Sequence, residues 1–314
     1  DGARDTREPR FRFMDVVLLG TAAGGGFPQW NCWCPTCRIA RSEPDRAHPR
    51  SQSSVAISAD RVRWFLLNAS PDVREQLARL PIAVPAGMRH VPVEGILPTD
   101  AELDHTLGIA LLREGRSLQV YATHAVLEVL NNDSRMLPVT SAFADVAVTE
   151  LQLDRPQALH YRDGAPSGLR VTAFAVPGGP PRFARQDLHG HTVGLWIEQP
   201  AGGTMAFVPG CGALGDDLLV RLAQADLLLF DGTFWTDAEM LRLGLSDRTA
   251  RQMDHLPISG PGGSLQQLGR LPCERKVYTH INNSNPMLVE DSAERREVTA
   301  AGLAVGDDGM SFSL

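Results

Sequence analysis

Pro98-Thr99-Asp100-Ala101-Glu102-Leu103-Asp104-His105 sets three carboxylates and one imidazole in alternation over six residues. The apolar Gly95–Leu97 before it predicts a strand, and Asp104–Glu114 after it predicts a helix. Ionisable groups packed so densely at a strand-to-helix junction converge on one mouth rather than scatter over a face. Singly, each has a plainer reading. Asp104-His105 could be an N-cap with its dipole partner, and Asp100 and Glu102 could be solvated loop charges.

Other predicted strands also end on polar residues. Leu227–Asp231 ends on Asp231, and Lys276–Thr279 runs into His280 and the turn Asn282-Asn283-Ser284-Asn285. His255 lies in Met253-Asp254-His255-Leu256-Pro257. Oxygen and imidazole donors delivered from separate strand ends are the raw material of a catalytic metal site. Further strands are predicted at Asp15–Leu19, Ser54–Ser58, Trp64–Asn68, Leu118–Tyr121, Leu169–Ala175, Thr192–Ile197 and Thr204–Val208. Helices are predicted at Pro71–Arg79, Ala125–Asn131, Asp216–Gln224 and Leu265–Leu271. Ser70 and Gly215 stand at two of the expected helix starts. The alternation predicts one α/β domain, and no period of repeat length is visible.

Cys32, Cys34 and Cys37 bring three thiolates onto one short turn, and soft thiolates favour Zn²⁺. With Cys211 and Cys273 they make five, an odd number that does not read as a disulfide framework and points to a reducing, cytoplasmic setting. A fourth zinc ligand has to come from elsewhere, and His48 is the nearest in sequence. The loop Gly20-Thr21-Ala22-Ala23-Gly24-Gly25-Gly26 lacks the following helix that a dinucleotide fingerprint requires.

Composition narrows the classes. In 314 residues, 43% hydrophobic and 21% charged residues suit a packed soluble domain, and the apolar runs are far too short for a membrane span. A net charge of −7 without a basic stripe argues against nucleic acid as partner. Residues 1–13 are polar, without the apolar stretch of a signal peptide, and are expected to be a disordered extension ahead of a single domain at 14–314.

Asp-x-Glu-x-Asp-His resembles a degraded His-x-His-x-Asp-His motif of the metallo-β-lactamase superfamily. The blocks Gly20–Cys32, Gln52-Ser53-Ser54, Leu67–Asp72, Leu111–Gly115, Pro209-Gly210-Cys211, Phe230–Thr233 and His280–Asn283 resemble, from Met14 to Leu314, the pyrroloquinoline quinone biosynthesis protein B family. That resemblance implies an αββα sandwich of two mixed sheets flanked by helices. It also implies an iron-dependent, O₂-using hydroxylase acting on the tyrosine ring of a Glu–Tyr-derived diamino acid. Asp104, His105 and His280 would hold Fe(II), with Asp231, Glu102 or Asp100 as further ligand or orienting group. His255 would be a proton shuttle or a strut, and Cys32, Cys34 and Cys37 would hold structural Zn²⁺.

Hydrolytic relatives carry two histidines where Asp100 and Glu102 stand, and a bridging Asp near Gly210, so a dinuclear zinc site is hard to assemble here. Two imidazoles and one carboxylate suit non-haem Fe(II) and O₂. Relatives with the cysteine triplet take their fourth zinc ligand from a His at the position of Asn283, which leaves that place open. A carrier of the quinone or a late intermediate, and a hydrolase of the wider superfamily, are the alternative readings. The expected partners are the small amino-acid-derived substrate and O₂, with neither nucleic acid nor membrane, and a homodimer is admitted.

Overall fold

Strand β1 (Asp15–Gly20) buries Val16 and Leu18 on one face and Leu19 on the other, all fully. Strands covered on both sides read as continuous apolar runs, and this pattern recurs through both sheets of the computed structural model, which describes residues 13–81 and 88–314. All but Phe13 of the expected extension lies outside the described residues.

The remaining strands are β2 (Ser54–Ser58), β3 (Trp64–Leu67), β4 (Val93–Leu97), β5 (Ser117–Thr123), β6 (Asp145–Leu151), β7 (Gln157–His160), β8 (Pro166–Ala175), β9 (Val193–Glu198), β10 (Thr204–Val208), β11 (Leu227–Asp231), β12 (Arg275–Thr279), β13 (Ala304–Val305) and β14 (Ser311–Ser313). They form two seven-stranded sheets, ordered β14-β1-β2-β3-β4-β5-β6 and β13-β12-β11-β10-β9-β8-β7. In the first, the pairs from β14 to β3 are antiparallel and those from β3 to β6 parallel. The second repeats the scheme, antiparallel from β7 to β10 and parallel from β10 to β13. The molecule is thus built from two topologically equivalent halves, although the sequence carries no visible repeat.

Between the sheets, Phe65, Leu67, Leu97, Leu195, Phe207 and Leu229 interdigitate in one core. Two outer clusters pack helices against the far faces, so the layers are helix, sheet, sheet, helix. This is the αββα sandwich expected from the motif.

Several elements depart from expectation. The helix expected over Pro71–Arg79 is confined to Val73–Leu77, and the Ser70 hydroxyl accepts the Asp72 N–H (3.1 Å) instead of capping a helix at Pro71. Strands β6 and β7 and helices Pro35–Ser42, Met136–Ser141 and Ala293–Ala300 were not anticipated. β6 sits at a sheet edge with most of its side chains in contact with solvent, so its sequence lacks the apolar run of an interior strand.

One glycine decides how the Asp104–His105 helix docks. Helix Leu103–Leu111 lies on the turn that follows β3, with Gly108 N–H donating to the Ala69 carbonyl (2.9 Å) and Ala69 N–H to that of His105 (2.7 Å). A Cβ on Gly108 would come within 2.5 Å of the Ser70 carbonyl oxygen. Any larger residue would push the helix, and His105 with it, off the sheet end.

Candidate metal centre

β4 in the first sheet and the neighbours β11 and β12 in the second carry their carboxyl ends to one crevice, the place where open α/β sheets bind ligands. A cleft of about 280 Å³ lies there, lined among others by Asp104, His105, His255, His280 and Glu102. Residues 100 to 280 in sequence therefore meet at one place.

His105 follows β4 and sits in the first turn of its helix. Its Nδ1 is held 2.8 Å from each oxygen of Asp100, while its buried Nε2 has no hydrogen-bond partner among the described residues. Asp104 Oδ2 lies 3.7 Å from that Nε2 and 3.3 Å from Nε2 of His280. One donor atom from each of Asp104, His105 and His280 falls within 4.8 Å of the others. A buried imidazole nitrogen left without a partner beside a carboxylate fits a divalent cation, and the donor set suits Fe(II) or Zn²⁺.

His280 immediately follows β12 in a left-handed conformation, φ +54°. A non-glycine residue held there costs on the order of 1–3 kcal/mol and persists only where its surroundings impose it. Here Ile281 N–H donates to Thr21 O (2.8 Å) and Asn282 N–H to Thr233 O (3.0 Å). The glycine loop contributes close approach rather than phosphate binding. A Cβ on Gly24 would stand 3.3 Å from Asp104 Oδ2.

His255 stacks on His280 at 5.3 Å between ring centroids, and Phe234 meets it edge-on at 5.8 Å. Its Nδ1 lies 2.7 Å from Asp231 Oδ2. Asp231, His255 and His280 also form a close donor group, but Asp231 is fully buried. Its oxygens already accept from Cys211 N–H (3.0 Å), Thr233 N–H (3.0 Å), Thr233 Oγ1 (2.6 Å) and His255. With its oxygens so engaged, Asp231 anchors the His255 ring, and Asp100 likewise holds that of His105.

The electrostatics follow the packing. Burial opposes the charge of Asp104, yet His105 and His280 beside it hold its carboxyl below the ordinary range. Burial likewise works against a cationic His105, but Asp100 and Asp104 push its imidazole up to about 9. Glu102 is pushed up to about 7 by burial and by repulsion from Asp100 and Asp104. At Gly210, where hydrolytic relatives were expected to carry a bridging Asp, the next residue is the buried Cys211. Its Sγ lies 3.0 Å from the Ala213 carbonyl, and burial with Asp231 nearby pushes the thiol up to about 12.

Cys32, Cys34 and Cys37 are buried, with their sulfurs mutually within 4.8 Å. The hydrogen bond from Cys37 pulls the Cys34 thiol well below its ordinary value. Three close, buried sulfurs fit Zn²⁺. His48 does not join them. It is exposed and lies 3.0 Å from Asp307 Oδ2, because the chain turns away after helix Pro35–Ser42. Asn283 does join them, its carboxamide nitrogen 3.2 Å from Cys37 Sγ and 3.7 Å from Cys34 Sγ. Which amide atom faces the sulfurs is an assignment, and the oxygen in that position would complete four ligands. Thr233, Phe234 and Asn282 also line the cleft and were not singled out from the sequence. Thr233 and Asn282 fall inside the quoted blocks Phe230–Thr233 and His280–Asn283, which was the available signal.

The fold agrees with known proteins. A family model described as a β-lactamase superfamily domain matches residues 63–281. The coenzyme PQQ synthesis protein B of Methylobacterium radiotolerans is 44% identical over 309 residues, covering 96% of this chain and all of that one. The chain belongs to the coenzyme PQQ synthesis protein B family. Another member, from Gluconacetobacter diazotrophicus, is 42% identical over 96% of this chain and 99% of its own. The 1.98 Å crystal structure of Zn²⁺-bound PqqB from Methylobacterium extorquens superposes with a TM-score of 0.85 at 39% identity, over 96% of this chain and all of that one. A diphosphatase of the PhnP family, 19% identical with a TM-score of 0.66 over 95% of this chain and 97% of its own, shares the fold. Among the described residues no helix is long and apolar enough to cross a membrane.

Proposed function

We propose that this protein acts in pyrroloquinoline quinone synthesis as an iron-dependent hydroxylase of the tyrosine ring in a Glu–Tyr-derived diamino acid. One observation carries the reading. Asp104, His105 and His280 bring two imidazoles and one carboxylate within 4.8 Å of one another at the cleft, and Asp100, Glu102 and Cys211 stand where hydrolytic relatives were expected to carry a histidine pair and a bridging Asp. Two-His-one-carboxylate sets with open positions belong to non-haem Fe(II) oxygenases.

Asp104, His105 and His280 would hold the iron, which when bound supplies O₂ activation. One oxygen atom enters the ring and the other leaves as water, with two electrons and two protons from an external reductant. Asp100 keeps Nε2 of His105 turned to the cleft. His255, backed by Asp231, is the group suited to take the phenolic proton. Phe234 and Met253 give the ring an apolar wall that excludes water. Cys32, Cys34 and Cys37 would hold a structural zinc, their sulfurs lying within 4.8 Å of one another. The free thiols suit the cytoplasm, and the partners are the small substrate and O₂.

Anaerobic Fe(II) loading followed by O₂ and the diamino acid tests the proposal. A mass gain of one oxygen is expected. Two zinc ions in the cleft with cleavage of a phosphodiester or ester would replace the reading with a hydrolase. Binding of the quinone without turnover would replace it with a carrier.

A further inference from the structure

We propose that Thr233 is the positioning residue that fixes His280 in its Nδ1–H tautomer and ties His280 and His255 to one carboxylate, Asp231. The inference rests on the metal centre described above. Thr233 is buried just beyond the end of β11, and its hydroxyl oxygen lies among four polar atoms, one of them the His280 carbonyl oxygen at 2.9 Å. Nδ1 of His280 is 2.8 Å away, Oδ1 of Asp231 2.6 Å and Nδ1 of His255 3.1 Å.

A hydroxyl has one proton to donate. The shortest of its contacts runs to a buried carboxylate, a stronger acceptor than the neutral His280 carbonyl at 2.9 Å. The proton therefore points at Asp231, and the oxygen lone pairs are left to accept. His280 Nδ1 is then the donor to Thr233, and an imidazole that donates from Nδ1 keeps its lone pair on Nε2. That atom faces Asp104 Oδ2 at 3.3 Å, a carboxylate that can only accept, so the lone pair is the one presented when a cation stands between the two. If the hydroxyl were turned to donate to Nδ1 instead, the neutral ring would carry its hydrogen on Nε2 and could not bind a cation there.

Asp231 thus ends two chains. Its Oδ2 accepts from His255 directly and its Oδ1 from His280 through Thr233. The two rings lie within 23° of parallel, each with Nδ1 committed to the same buried pair, so both Nε2 atoms are turned away from it.

Two measurements on the full chain test this. Proton spectra of the Co(II)-loaded chain are expected to show a slowly exchanging His280 Nδ1–H in the wild type and in Thr233→Ser, and its loss to fast exchange in Thr233→Val. Co(II) titration should show a 10- to 100-fold loss of cleft affinity in Thr233→Val and near-wild-type affinity in Thr233→Ser. Zinc at the cysteines and melting temperature serve as the check on folding. A Co(II)-loaded wild type whose His280 Nδ1–H exchanges fast overturns the proposal even if Thr233→Val fails to fold. So does a folded Thr233→Val with wild-type exchange and affinity, or a Thr233→Ser as weak as Thr233→Val. None of these readouts involves O₂ or the amino acid, so a failure of oxygen insertion would overturn the hydroxylase reading and leave Thr233 standing.

Discussion

Both carboxylate oxygens of Asp100 lie 2.8 Å from Nδ1 of His105. A metal-binding imidazole held by a carboxylate at its other nitrogen has its tautomer and ring plane set before the ion arrives. Asp100→Ala should therefore weaken cleft binding of Co(II) 10- to 100-fold. It should also cost about 1–3 kcal/mol of stability, because a buried N–H loses its acceptor. Calorimetric titration with denaturant unfolding measures both, and unchanged affinity would mean that packing alone holds His105.

Asp104→Ala and His280→Ala should abolish metal uptake in the cleft while zinc stays at the cysteines. The two residues follow different strands, so loss of either leaves the scaffold intact, and removing a ligand costs more than the 10- to 100-fold of an orienting group. Elemental analysis after dialysis decides the matter. Cleft metal retained at wild-type affinity in either variant would place the site elsewhere.

Cys34→Ala should lose the zinc at the cysteines and lower the melting temperature, since structural zinc contributes folding free energy. Asn283→Ala should keep three sulfur ligands and bind zinc more weakly, with chelator competition as the measure. Equal zinc affinity in Asn283→Ala and wild type would exclude the carboxamide as a ligand.

Glu239 gives a pH signature away from the metal ligands. It is buried, accepts from Ser284 Oγ and Trp235 N–H, and burial pushes its carboxyl up to about 7. The folded state therefore binds more protons than the unfolded chain between the ordinary Glu value and about 7. Stability is present below that window and falls as pH rises through it, by up to about 3 kcal/mol at 1.36 kcal/mol per pKa unit. Glu239→Gln should flatten that part of the stability–pH curve. A Gln variant with the same slope would assign the loss to other groups.

The interior strands were legible because burial on both faces demands an unbroken apolar run. Ser54–Ser58, Thr204–Val208 and Leu227–Asp231 occupy the spans their composition predicts. Edge strands β6 and β7 were not, since a half-solvated strand need not be apolar. The donor residues were legible as well, because metal chemistry restricts residue type, and Asp104, His105 and His280 do share one cleft. The fourth zinc ligand was left open. His48, the nearest candidate in sequence, lies elsewhere, whereas Asn283, where relatives with the triplet carry a histidine, reaches the cysteines from about 250 residues away.

The sequence by itself determined which side chains could serve chemistry and where the chain is apolar enough to be buried, because both are properties of residue type and local spacing. Only the tertiary structure decided what each of those side chains does. Asp231 and His255 are 24 residues apart, and His280 is 176 from Asp104. Nothing local links them. They meet because two sheets of parallel and antiparallel strands align the ends of β4, β11 and β12. A carboxylate becomes an anchor or a ligand according to whether its oxygens are already taken, which is a fact about neighbours in space.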